Sequence, residues 1–160
     1  MSETSAAGLD PFARLEALGL KLPDVVPPVA AYVPAVQSGN HVYVSGQIPV
    51  ADGKVLATGK VGDDVTADQA KELAARCALN ALAAIDALVG LEKVVKIVKV
   101  NGFVASAPGF TGQPGVINGA SELFGEVFGE AGRHARSAVG VAELPLGVPV
   151  EVDVIAEVAA

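Results

Sequence analysis

Hydrophobic and polar positions along the chain change period several times, and each change marks an element. Residues before Asp10 are expected to be loose, whereas Phe12, Leu15 and Leu18 recur at helical spacing and predict a short helix over Pro11 to Leu18. Leu22 to Pro28 is proline-rich and extended. From Val33 the pattern alternates. It predicts a strand to Val36, a turn at Ser38-Gly39-Asn40, and a strand from His41 to Ile48. In that second strand Val42, Val44, Gly46 and Ile48 face one way, and His41, Tyr43, Ser45 and Gln47 the other. Ala51-Asp52-Gly53-Lys54 reads as a hairpin turn. Helical spacing takes over at Thr66-Ala67-Asp68-Gln69, a capping-box start. The stripe Ala70, Leu73, Ala74, Cys77, Ala78, Ala81, Leu82, Ile85 and Leu88 follows, and Gly90 stops it. Val94 to Ala105 predicts a long strand with Val98, Val100, Gly102 and Val104 on one side. A second long helix spans Gln113 to Ala131, with Ile117, Ala120, Leu123, Phe124, Val127 and Phe128 inward. Two strands joined by the turn Leu144-Pro145-Leu146-Gly147 close the chain.

This order of elements predicts an α+β two-layer sandwich: one mixed β-sheet with both long helices on a single face. The other face still carries Val and Ile side chains and would be bare in a monomer. Packing three such sheets around an axis would bury it.

Composition sharpens that picture. At 160 residues the chain is one domain of ordinary size, able to bury its own core. Hydrophobic residues are 51% and charged ones 18%, yet no apolar run is long enough to span a bilayer. The excess apolar surface therefore points to an oligomer rather than a membrane. A formal net charge of −7, with eleven basic residues and no basic cluster, argues against nucleic acid as a partner. The lone Cys77 excludes an internal disulfide, fits a reducing compartment, and falls on the apolar face of a helix, where it packs. Met1-Ser2-Glu3-Thr4-Ser5 has neither the basic start nor the apolar core of a signal peptide, so cytoplasmic residence is expected. His41 and His134 are the only histidines, and neither has a triad or metal partner at meaningful spacing. The Gly/Pro-rich stretch Ala107 to Gly115 lacks a phosphate-binding fingerprint and reads as a rigid loop able to cover a pocket.

An acidic protein that binds an acidic ligand must supply a local positive centre. Arg136, one of four arginines, shares a strand face with Ala138, Gly140 and Ala142, which leaves room beside a long cation. A guanidinium grips a carboxylate with two parallel hydrogen bonds, so Arg136 is the candidate receptor for a small organic acid. The structural alternative is an ion pair with Glu151 or Asp153.

Three strings lie in the order and spacing of a known family: Tyr32-Val33-Pro34-Ala35-Val36; Gly39-Asn40 with Ser45-Gly46-Gln47-Ile48-Pro49; and Arg136-Ser137 through Leu144-Pro145 with Glu151. Over about Tyr32 to Ala156 the chain resembles the RidA (YjgF/YER057c/UK114) family, in a longer subgroup. The resemblance makes residues 1–30 an N-terminal extension and 31–160 the RidA-like domain. It implies a chorismate-mutase-like fold, a homotrimer forming a barrel of sheets, and pockets between adjacent subunits. It implies hydrolysis of reactive enamines and imines of 2-amino acids to 2-keto acids and ammonia, with no cofactor and no metal. By position, Arg136 would bind the substrate carboxylate with help from the backbone N–H of Ala138, and Glu151 would orient the attacking water. Tyr32, Ser45, Gly46 and Asn118 would line the pocket. Many members have a cysteine where this chain has Ala138, and the Ala107–Gly115 segment is longer here. A rival reading is therefore binding or sensing of a small carboxylate without turnover. A ribonuclease role is disfavoured by the negative charge and the absence of paired histidines.

Geometry adds one expectation. If the last two strands pair as a hairpin about Leu146-Gly147, Glu151 faces Ala142 and Arg136 lies near Glu157. Their offset is then roughly 20 Å at the usual strand rise. One regular hairpin could not bring both side chains into one small pocket; either a bulge and twist shorten the gap or, the expectation favoured here, the two meet across a subunit boundary.

Overall fold

A computed structural model describes residues 10–160; the expectation for residues before Asp10 lies outside them. Helix α1 (Pro11–Ala17) opens on an Asp10 cap and packs on the body through buried Leu15. Strands β1 (Ala35–Ser38) and β2 (His41–Gln47) follow, then a small hairpin of β3 (Val50–Ala51) and β4 (Lys54–Val55). Asp52 and Gly53 both have positive φ there, the requirement of a tight two-residue turn. Helix α2 (Ala67–Val89) begins with the expected reciprocal cap between Thr66 and Gln69, and ends at Gly90. Strand β5 (Val94–Ala105), helix α3 (Gln113–Phe128), strand β6 (Ala135–Val141) and strand β7 (Val150–Val158) complete the chain.

The five long strands form one mixed sheet in the order β1-β2-β7-β5-β6. Both long helices cover a single face of it. The core lies between the layers, with Val42, Val100, Val104, Val150, Val152 and Val154 meeting Cys77, Leu82, Ile85, Ile117, Phe124 and Val127. Alanines along α2 and Gly119 of α3 let the helices approach closely; a methyl on Gly119 would collide with the Lys71 carbonyl. Burial pushes the Cys77 thiol well up, so it packs as a small apolar group.

Two expectations change. The sheet is open: β1 and β6 stand at opposite ends of the order and pair only inward, so the expected barrel of sheets is not formed. Nor do the last two strands make a hairpin. β6 runs parallel to β5, while β7 runs antiparallel to both β5 and β2. The reason is the crossover through α3. A strand, a helix and a returning strand make a parallel unit. That places β6 outside β5 and leaves β7 to fill the slot between β2 and β5.

Three register shifts also break the alternating patterns, and two of them re-aim expected core positions. One, between Val44 and Gln47, inserts a residue into β2 relative to β7. The other, between Ile97 and Lys99, turns Ile97 into the core and leaves Val98 half-buried.

Candidate functional site

The cross-strand register sets where each candidate residue points. Arg136 sits beside Val100, which sits beside Val154, and both valines are buried under the helices. Arg136 is therefore on the helix side of the sheet, at its edge. Glu151 sits beside Phe103, which sits beside Val139, a row of opposite parity that faces away from the helices. The two residues are three positions apart in register and two strands apart, roughly 10 Å in each direction. The offset is half that of a hairpin, but the side chains diverge from opposite faces. Within one chain they do not converge.

The Arg136 side is built by α3. Pro114, Asn118 and Ser121 recur at helical spacing on one face of that helix. Arg136 Nη1 donates to Asn118 Oδ1 at 2.8 Å and to Ser121 Oγ at 3.2 Å, and Nη2 donates to the Pro114 carbonyl at 3.3 Å. All three acceptors are neutral. Among the described residues Arg136 forms no ion pair, so the structural pairing with Glu151 or Asp153 does not occur. Of its five donors the Nε–H and one Nη2–H are left over. The space expected beside Gly140 is filled, because Gln113 Nε2 and Ser106 Oγ lie where a side chain would start. Ser106 N–H donates to the Val141 carbonyl. Alternation along β6 then turns the peptide groups of Ala138 and Arg136 outward, along the free edge. Ala138 thus presents its N–H on the same edge as the guanidinium.

The Glu151 side is built by β7, the β2 bulge and the segment before β1. Without the bulge Gly46 would face the helices; with it, Gly46 lies against Glu151 and Gln47 turns into the core. A methyl on Gly46 would stand 2.8 Å from the Glu151 carboxyl carbon. Ser45 Oγ donates to the Val33 carbonyl at 2.6 Å, and Ser45 N–H to Pro34, pinning the bulge to the preceding segment. Tyr32, Gly46, Gln47 and Glu151 line one small cleft with Pro28 and Pro145, of about 50 Å³. Burial, reinforced by Asp153, raises the Glu151 carboxyl from its ordinary range. Asp153 is raised by burial and held back by the hydrogen bond that Asn101 donates at 2.8 Å.

The structure thus gathers Tyr32, Ser45, Gly46 and Glu151 in one group, and Arg136, Ala138 and Asn118 in another. The sequence reading missed Ser121, whose only signal was its place three residues after Asn118 on the α3 face. A larger cleft of about 460 Å³, lined by residues that include Lys60, Asp63, Ala107 and Glu143, contains none of the expected site residues. The Ala107–Gly115 loop borders this cleft and feeds α3 rather than covering Glu151. Among the described residues no cluster of His, Cys, Asp and Glu is placed to hold a metal ion. Nor, among them, is any helix long and apolar enough to cross a membrane.

Comparison with known proteins adds identity to this geometry. Protein TCP17 of Trypanosoma cruzi is 47% identical over 147 residues, covering 91% of this chain and 92% of its own. The crystal structure of Atu1372 from Agrobacterium tumefaciens, of unknown function, is 46% identical with a TM-score of 0.87, covering 97% of this chain and 95% of that one. A 2-iminobutanoate/2-iminopropanoate deaminase of Dermatophagoides farinae is 32% identical over 79% of this chain and 84% of its own. The crystal structure of E. coli TdcF with bound serine is 29% identical with a TM-score of 0.55, covering 86% of this chain and 93% of that one. Two yeast relatives correct the expected cytoplasmic residence. Protein mmf1 of Schizosaccharomyces pombe is 35% identical over 78% of this chain and 67% of its own, and is mitochondrial. MMF1 of Saccharomyces cerevisiae, 33% identical over 82% of this chain and 79% of its own, is mitochondrial too. The family model described as Endoribonuclease L-PSP matches residues 15–158, and the chain belongs to the RidA (YjgF/YER057c/UK114) family.

Proposed function

We propose that the chain hydrolyses reactive enamine and imine forms of 2-amino acids to 2-keto acids and ammonia, at sites completed between copies of a homotrimer. The observation that carries this reading is the Arg136 guanidinium, oriented by three neutral acceptors with two donors to spare. A cation so placed keeps its full charge for a carboxylate. Neither half of the site suffices alone: a cleft of about 50 Å³ is far below the few hundred Å³ a small-molecule site needs. A neighbouring copy that brings its Arg136 edge to the Glu151 cleft supplies what each half lacks. The uncovered sheet face, where Tyr43 and Val139 are 44% and 46% exposed, gives such an assembly apolar surface to bury. On this reading residues 31–160 form the catalytic domain and residues 1–30 an extension.

The roles follow from the chemistry. Arg136 and the N–H of Ala138 hold the substrate carboxylate, Asn118 fixes the guanidinium, and Tyr32, Ser45 and Gly46 line the neighbour's wall. Glu151 accepts a proton from water as the water oxygen bonds to the C=N carbon and the π electrons move to nitrogen. Glu151 passes that proton to the nitrogen, giving the neutral carbinolamine, whose hydroxyl proton then moves to the nitrogen as the C=O forms, the C–N bond breaks and ammonia departs. Water addition to C=N needs no electron acceptor, so orientation and electrostatics are sufficient. A carboxylate with a raised pKa is the stronger base once ionised. The mite relative's stated deaminase activity and the serine held by TdcF, a 2-amino acid with the same carboxylate, support the substrate class.

The rival reading is capture of a small carboxylate without turnover. Generating 2-aminoacrylate or 2-iminobutyrate in situ and following keto-acid release separates the two. Acceleration by the wild type that vanishes in Arg136→Ala supports the hydrolase; 2-keto acid binding without acceleration supports the carrier. The ribonuclease reading lacks a paired acid and base: both ring nitrogens of His134 are engaged by Ser121 and Gly132, and His41 lies on β2, separated from β6 by β7 and β5.

A further inference from the structure

Behind Arg136 lies a chain of polar groups that the deamination chemistry does not itself require. His134 Nδ1 is 2.6 Å from the Gly132 carbonyl. A carbonyl oxygen only accepts, so Nδ1 carries the proton, and in the neutral ring Nε2 is left as an acceptor. Ser121 Oγ lies 2.8 Å from Nε2. Its single hydroxyl proton is thereby drawn toward the ring, and its lone pairs turn toward Arg136 Nη1 at 3.2 Å. The result is a one-directional run of donors, from Arg136 to Ser121 to His134 to the Gly132 carbonyl. Such runs polarise one another and are stiffer than their separate bonds.

The ring is fixed from a second side. His134 meets the Phe124 ring edge-on, with centroids 5.9 Å apart and planes at 90°. Phe124 is fully buried, so it is a rigid stop. The far end of the run is therefore anchored to the core and to backbone, and its near end to the guanidinium.

We infer that Ser121 and His134 are positioning residues for Arg136, a relay of neutral groups that aims the guanidinium at a substrate carboxylate. The inference rests on the proposed function and names residues that act only through Arg136. A neutral relay suits this place better than a carboxylate. An acidic partner would hold Arg136 as firmly but compete with the substrate for its charge.

The test is binding of 2-oxobutyrate by calorimetry, beside deaminase kinetics, in the full-length assembled protein. Ser121→Ala removes the central link while favouring the helix. His134→Phe keeps the ring against Phe124 and removes both nitrogens. Each is expected to weaken binding and raise KM about tenfold, with kcat changing less, the scale of one hydrogen bond to a charged group. Ser121→Thr, which restores a hydroxyl, should recover most of the affinity. The double variant should bind no worse than either single one, since both break the same run. In an Arg136→Ala background neither change should have further effect. Two independent losses that multiply, or wild-type affinity in Ser121→Ala while Arg136→Ala has lost binding, overturns the relay and leaves the proposed function standing. Unchanged binding and turnover in Arg136→Ala overturns both.

Discussion

The two halves of the candidate site are built by opposite means. On the Arg136 side a helix and an edge strand hold a cation with three neutral oxygens, and two of its donors are left over. On the Glu151 side a bulge and a glycine make room for a carboxylate that burial and Asp153 render reluctant to ionise. Among the described residues, one half is a charge without a counter-charge and the other an acid without a nearby base. They occupy opposite faces of one sheet, so folding alone prepares each half and does not join them. Association of copies is the step that would.

That contrast can be broken by experiment. The largest expected effect is Arg136→Ala, which removes the carboxylate anchor and should cut kcat/KM about a thousandfold, measured by keto-acid release. Glu151→Gln keeps the shape of the second half and removes its base. A loss of about a hundredfold in kcat, with KM nearly unchanged, is expected. Co-refolding those two inactive variants tests whether the halves belong to different copies. Random reassembly should restore roughly a quarter of the wild-type sites, and no recovery at all would place both residues in one protomer. The smallest effect is on stability. Glu151 and Asp153 bind protons more tightly folded than unfolded. Their contribution is fully present below the ordinary carboxylate range and is lost as pH rises through their raised values. Thermal melts of the wild type should fall over that window. Glu151→Gln, in contrast, should show a shallower slope and greater stability near neutral pH.

Much of the fold was legible because local rules and tertiary packing agree there. The Thr66–Gln69 cap, the Gly90 stop and the stripes of α2 and α3 needed no knowledge of neighbours. The same was true of buried Cys77. What escaped the sequence depends on pairing between distant segments. The β2 alternation ran unbroken through Gly46 in sequence, yet one inserted residue relative to β7 sends Gly46 to Glu151 and Gln47 to the core. The turn after β6 looked like a hairpin because consecutive strands usually pair; the α3 crossover had already committed β6 to the far side of β5. Ser121 is an ordinary helix residue until β6 is laid beside it.

Gly46 separates two demands that mutagenesis usually confuses. The atom a methyl would strike belongs to the movable tip of Glu151, not to backbone, so Gly46→Ala leaves the chain an easy escape. The protein should therefore melt almost as before while turning over poorly, its acid swung out of line. The residue at that position is therefore expected to act as a simple filter: anything larger than glycine should leave the scaffold standing and cost the hydrolytic trade.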